Sequence, residues 1–154
     1  MTLNESDEPN PMKDTRGVEH VNVIGAGFIG LPLAIKLASE GKTVIGVDVD
    51  EDLVDSINNG VLNVDEEELN TRLQNRTVQE NLTAQTTPTS SDAFVISVPT
   101  PLIEPKKSPD LSHVEAAIES ILPYLERGDL INIESTIPPL TCDQIVSPQL
   151  EEAG

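Results

Sequence analysis

Basic residues are scarce in this 154-residue chain: nine Lys and Arg face 27 Asp and Glu, a formal net charge of -18. A surface of that sign repels nucleic acid and anionic membranes, so polyanion-binding functions are excluded. Cysteine is nearly absent as well. Cys142 stands alone, so no internal disulfide staples the fold and a reducing interior suits it. No apolar run approaches the ~18 residues of a membrane span. Met1 to Pro11 is polar and acidic, where a secretion signal is basic and then apolar. The expected location is the cytoplasm. Sequons at Asn4, Asn75 and Asn81 are short, frequent by chance and empty of meaning without secretion. No metal-ligand spacing occurs. His20 and His113 have no partner in the sequence that makes either one a base or a ligand.

What the chain does contain is one domain's worth of apolar sequence. Its length and a hydrophobic content of 37% support a single core. The apolar residues gather in dense runs, Val21 to Ile24, Val44 to Val47 and Phe94 to Val98, so the acidity marks the surface of a folded body rather than disorder. The composition is that of proteins from salt-accumulating cells, where screening lengths fall to about 3 Å at 1 M salt. An acidic protein from a low-salt cell is the plainer alternative. Residues 1–17 carry Pro9, Pro11 and several acids without periodicity and read as a disordered leader.

From His20 onward, strand-length apolar runs alternate with segments of helical period, the pattern of a mostly parallel sheet with crossover helices. Strands are expected at Val21 to Ile24, Thr43 to Val47, Leu82 to Thr86, Ala93 to Val98 and Leu130 to Ile133. A helix over Leu31 to Ala38 ends at Gly41 and tolerates Pro32 in its first turn. Asp50 to Gly60 and the stretch holding Leu69 and Leu73 are expected to be helical. Ser112 with Glu115, and Thr141 with Gln144, have capping-box spacing ahead of apolar periodic runs. They predict a helix from Ser112 to about Arg127 and another that ends the chain.

The strongest chemical signal is Gly25-Ala26-Gly27-Phe28-Ile29-Gly30, placed between the first strand and the first helix. Gly25 allows the tight turn, Gly27 lets a pyrophosphate approach the backbone, and Gly30 lets the helix pack closely. The helix N-terminus presents free N–H groups and positive dipole to the phosphates. Asp48, at the end of the second strand, completes a dinucleotide-binding fingerprint. Its carboxylate accepts from a ribose 2′-hydroxyl and repels a 2′-phosphate, and no Lys or Arg lies between Thr43 and Thr71 to rescue one, so NAD is favoured over NADP. The acids after it, Asp50, Glu51, Asp52 and Asp55, are expected to be solvated.

Further segments fall in order after these. They are Ser97-Val98-Pro99-Thr100-Pro101-Leu102, Pro109-Asp110-Leu111-Ser112-His113-Val114-Glu115-Ala116-Ala117 and Ile133-Glu134-Ser135-Thr136-Ile137-Pro138-Pro139. Together with the glycine loop and Val44-Ile45-Gly46-Val47-Asp48, they resemble the amino-terminal domain of the nucleotide-sugar dehydrogenases. The resemblance is nearest to the branch acting on UDP-N-acetylmannosamine or UDP-N-acetylglucosamine, and it covers about residues 18–154. It implies an α/β, Rossmann-like sheet with helices on both faces, about five strands in the order 3-2-1-4-5, ending ahead of a sixth. It also implies that the Phe28 and Ile29 backbone N–H groups meet the pyrophosphate and that Asp48 holds the adenosine ribose. Thr100 then lies near the nicotinamide, where it helps order water, and Thr136 borders the cofactor.

The family oxidises a sugar C6 alcohol twice with NAD, through a thiohemiacetal on a cysteine assisted by a lysine and carboxylates. The resemblance places those groups after Gly154, together with the central helical region and the UDP-binding domain. Cys142 does not match the catalytic cysteine's motif and is expected to be a packed structural residue. Pro148-Gln149-Leu150-Glu151-Glu152 falls on a helix and does not match the family's later Pro-Glu segment. Glu134 is expected to shape its turn only. The leading expectation is therefore the NAD-binding portion of a nucleotide-sugar 6-dehydrogenase serving surface polysaccharide or glycan synthesis. Alone it binds NAD without turnover as a monomer, while the complete enzyme takes a UDP-sugar substrate and is a homodimer or larger. The alternatives are an NAD-binding regulatory module and the first domain of a hydroxyacid dehydrogenase. A broken gene's product is a third, betrayed by poor folding even in molar salt.

Overall fold

A computed structural model describes residues 17–63 and 66–153. All but the last residue of the expected leader, and the sequon at Asn4, lie outside the described residues. The chain runs β1 (His20–Ile24), α1 (Gly30–Ser39), β2 (Thr43–Val47), α2 (Glu51–Asn58), α3 (Glu67–Leu73), α4 (Arg76–Asn81), β3 (Leu82–Gln85) and β4 (Ala93–Ile96). A two-stranded hairpin follows, β5 (Leu102–Ile103) and β6 (Ser108–Pro109), then α5 (Ser112–Ile121), β7 (Leu130–Ile133), a π-helical turn (Cys142–Val146) and α6 (Ser147–Ala153).

Five strands form one parallel sheet in the order β3-β2-β1-β4-β7. With the hairpin set aside, this is the 3-2-1-4-5 order expected from the sequence. Side chains alternate between the two faces. Val21 and Val23 of β1, Val44 of β2, and Ala93 and Val95 of β4 pack with Leu31, Ala34, Ile35 and Ala38 of α1, Val54 and Ile57 of α2, and Val78 of α4. Ile24, Val47, Phe94 and Ile96 face the other way, against Ala117, Ile118 and Ile121 of α5 and Val146 of the π-helical turn. Burial on both faces explains why these strands read as mostly apolar runs.

One buried residue of the central strand is polar. Asn22, fully buried, donates through Nδ2 to the Thr89 carbonyl at 3.0 Å and accepts from the Thr89 N–H at 3.2 Å, with a further contact to the Ser91 hydroxyl. It pins the loop of residues 86–92, which carries the chain from β3 to β4 with no helix between them. At the β3 edge of the sheet Asn58, the last residue of α2, bonds both the N–H and the carbonyl of Ala84. Its amide acts as a short extra strand on β3, satisfying backbone groups that an edge leaves open.

Several boundaries differ from expectation. β4 stops at Ile96 and β3 at Gln85. Neither capping box forms. Ser112 is already helical, and the Asp110 carboxylate accepts its N–H at 2.9 Å instead. Thr141 is buried and its hydroxyl donates to the Pro138 carbonyl at 2.8 Å. α5 ends at Ile121 in a 3-10 turn, Leu122–Tyr124, that contains Pro123, because a proline lacks the N–H that a continuing helix needs. Asp50 is not idle surface: its Oδ1 accepts from the N–H groups of Asp52 and Leu53 and caps α2. Asn75 caps α4 in the same way. Cys142 is exposed rather than packed.

Candidate functional site: the glycine turn and its cleft

The order of the sheet reverses between β1 and β4, and at such a point the two loops leaving the carboxyl ends part and open a crevice. Gly25 leaves β1 with φ 91°, a conformation that suits glycine alone. A Cβ there lies 2.7 Å from the Ser97 carbonyl. Gly27 differs, since a Cβ on it meets nothing within 4 Å, so the backbone at this position faces open space. On Gly30 a Cβ falls 1.8 Å from the Gly25 carbonyl oxygen and 2.5 Å from Ser97 Oγ. The third glycine is thus required by the turn itself and by a serine after β4, more than by contact with the sheet. Among the described residues the N–H groups of Phe28 and Ile29 have no hydrogen-bond partner, and the side chains of both are exposed.

Asp48 reaches the same turn from β2. Its Oδ2 accepts the Ala26 N–H at 2.9 Å and its Oδ1 the Asp50 N–H at 3.0 Å. Both oxygens keep a second lone pair, and the carboxylate borders a cleft of about 580 Å³. That cleft is lined by Gly25, Gly27, Phe28, Ile29, Asp48 and Val49 on one side, and by Thr86, Pro88, Ser97, Val98 and Pro99 with the α5 face of His113, Ala116, Ala117 and Ser120 on the others. The α5 residues recur at intervals of three and four, which puts them on one helix face. His113, given no role from sequence, stands at this wall. Beside it the Ser112 hydroxyl and N–H hold the Asp110 carboxyl below the usual aspartate range, with a smaller contribution from the His113 charge.

Thr100 and Thr136 sit next to the cleft rather than in its lining. They touch one another, Thr100 Oγ1 donating to the Thr136 carbonyl at 2.8 Å. A second bond joins the same two loops, from Ser135 Oγ to the Val98 carbonyl at 2.7 Å, and a third runs from the Glu134 N–H to the Ile96 carbonyl at 2.8 Å. Glu134 itself accepts from the Asn132 side chain at 2.6 Å. His20 lies far along the sheet, 3.3 Å from Asp92, where the carboxylate also takes the N–H groups of Glu19 and His20.

Sequence reasoning missed Ser97, Ser135, His113 and Asn22. Small hydroxyl residues directly after a strand are the one available signal for the two serines, and it is weak, because serine is common in any loop.

Comparison with known proteins agrees with this geometry. Over 131 residues the chain is 46% identical to the UDP-N-acetyl-D-mannosamine dehydrogenase of Methanococcus maripaludis, covering 83% of this chain and 31% of that one. It is 45% identical to the NDP-N-acetyl-D-galactosaminuronic acid dehydrogenase of Ralstonia nicotianae, covering 81% and 29%. Among solved structures, the UDP-N-acetyl-mannosamine dehydrogenase of Staphylococcus aureus superposes with a TM-score of 0.82 at 39% identity, over 86% of this chain and 32% of that one. The chain therefore spans just under a third of the length of these relatives. The profile of the UDP-glucose/GDP-mannose dehydrogenase family's NAD binding domain matches residues 19–154. This chain belongs to that family, and its parallel sheet, glycine turn and cleft are the family's NAD-binding domain.

Proposed function

We propose that this chain is the cofactor-holding part of a nucleotide-sugar 6-dehydrogenase that oxidises a UDP-N-acetylhexosamine, the mannosamine or glucosamine form, to its uronate in the cytoplasm. The substrate class rests on the printed activities of the relatives above, and the assembly of the complete enzyme as a dimer or larger on the family resemblance. NAD supplies the hydride acceptor when bound; the chain's own residues bind and orient it. Phe28 and Ile29 offer their N–H groups to the diphosphate at the start of α1, where the helix dipole adds to them. Asp48 uses its remaining lone pairs for the adenosine ribose. Thr100 and Thr136, tied together beyond β4 and β7, stand on the nicotinamide side.

The observation that carries the proposal is the pairing of open backbone at Gly27 with a carboxylate at the same cleft: NAD uses the first for its diphosphate and the second for its adenosine ribose, and the residues present fit it. Among the described residues no cysteine or lysine lines the cleft. The test is binding without turnover. Purified chain in molar salt should bind NAD, gaining about 2.7 kcal/mol of stability at 100-fold saturation over the dissociation constant, and should not reduce NAD when given a UDP-N-acetylhexosamine. Absence of any NAD-induced stabilisation, or rapid NAD reduction by this chain alone, overturns it.

A further inference from the structure

The peptide group between Gly25 and Ala26 is held at both ends by side chains from two different strands' ends. Asp48 Oδ2 takes its N–H at 2.9 Å. Ser97 Oγ donates to its carbonyl, the Gly25 oxygen, at 2.7 Å, and shares the same hydrogen with the Ile24 carbonyl at 3.2 Å. Ser97 is itself fixed, since its N–H donates to the Ile24 carbonyl at 2.8 Å. Among the described residues no backbone N–H reaches the Gly25 carbonyl, so the serine is what orients it. The Gly25 carbonyl and this hydroxyl together leave no room for a Cβ on Gly30. Glycine's freedom leaves the 25–26 peptide free to rotate unless it is held, and its rotation redirects the turn that follows it.

We propose that Ser97 is the positioning residue of the phosphate-binding turn. With Asp48 it clamps the Gly25–Ala26 peptide in one orientation, so that the Phe28 and Ile29 N–H groups converge on a diphosphate before one arrives. This rests on the NAD-binding reading above. It separates the two halves of the nucleotide: Asp48 serves the ribose directly, whereas Ser97 touches the ligand's diphosphate only through the turn.

Ser97→Ala tests this, with NADH fluorescence enhancement for the dinucleotide and displacement calorimetry for adenosine, which has no diphosphate. The expected result is about tenfold weaker NADH binding, adenosine affinity within about twofold of the parent, and a Ser97→Thr variant that restores NADH binding because it keeps the hydroxyl. Should the alanine variant not fold, Ser97→Cys keeps the size with a weaker donor and is read by the same NADH-to-adenosine ratio. NADH binding unchanged in the variant, or NADH and adenosine weakened equally, overturns the positioning role. Failure of the parent chain to bind NADH is a different result and removes the functional reading beneath it.

Discussion

Thr100 Oγ1 donates to the Thr136 carbonyl at 2.8 Å, joining residues 36 positions apart. The bond runs from the loop after β4, whose first residues line the cleft, to the loop after the neighbouring strand β7. Each loop also contains prolines that limit its backbone, so few hydrogen bonds are needed to hold the pair in register.

The two threonines are not equivalent in this bond, and mutation should show it. Thr100→Val removes the donor at constant shape and is expected to cost about 0.5–1 kcal/mol in urea denaturation. Thr136→Ala keeps the carbonyl that accepts the bond and is expected to stay within about 0.5 kcal/mol of the parent. Equal losses at the two positions refute the assignment of donor and acceptor.

Gly27 and Gly30 should separate binding from folding. Gly27→Ala adds a methyl group into open space, so stability is expected to change by less than about 0.5 kcal/mol, while NAD binding falls because the methyl occupies the phosphate approach. Gly30→Ala drives its Cβ to 1.8 Å from the Gly25 oxygen, forcing α1 off the turn at a cost of about 2 kcal/mol. Chemical denaturation alongside NADH titration reads both. A Gly27→Ala protein that binds NADH as the parent does contradicts the phosphate path over that residue.

Asp48 is expected to set cofactor choice. Its carboxylate lies on the cleft, and no Lys or Arg occurs from Thr43 to Thr71. A 2′-phosphate there meets an unscreened like charge, so NADH should bind at least about tenfold more tightly than NADPH, or about 1.4 kcal/mol. Titration of both nucleotides checks this, and equal affinity removes Asp48 from the ribose.

Asp92 makes a prediction about acid. The N–H groups of His20 and Glu19, which it accepts at 2.8 and 3.0 Å, hold its carboxyl below the ordinary aspartate value of 3.8; burial opposes this more weakly, and the His20 side chain adds a little. A carboxyl whose pKa is lower folded than unfolded contributes stability above the unfolded value and loses it as pH falls through the folded one. The parent should therefore lose thermal stability below pH 3.8 more steeply than Asp92→Asn, whose side chain does not titrate. Parallel melting curves of the two across that range contradict the assignment.

Salt should stabilise the fold. At a net charge of -18, self-repulsion opposes the compact state, and the screening length shortens from about 10 Å at 0.1 M to about 3 Å at 1 M. The melting temperature is expected to climb steadily between those concentrations of KCl. A flat profile means that repulsion between these acids is not what limits stability.

The strand-helix alternation and the glycine turn were legible from sequence because each depends on a local pattern, while the strand order came with the family resemblance. A strand buried on both faces is mostly apolar, as Val21, Val23, Ile24 and Val44 to Val47 are, and the turn between β1 and α1 leaves no room for side chains at Gly25 and Gly30. Capping boxes were not legible. Ser112 and Thr141 have the right spacing, but Asp110 competes for the cap in one case and the Pro138 carbonyl captures the hydroxyl in the other. Spacing cannot rank such competitors.

By itself, then, the sequence determined the alternation of strands and helices and the glycine turn, which follow from periodicity and from residues near one another along the chain, and its motif series carried the family resemblance that implies the sheet order. Tertiary structure alone decided how the site is held. Ser97 reaches Gly25 across 72 positions, Ser135 reaches Val98 across 37, and Asn22 holds Thr89 across 67. The physical reason is common to all three. A hydroxyl or amide has no partner until the sheet brings one within about 3 Å, and parallel strands bring together loops far apart in the chain.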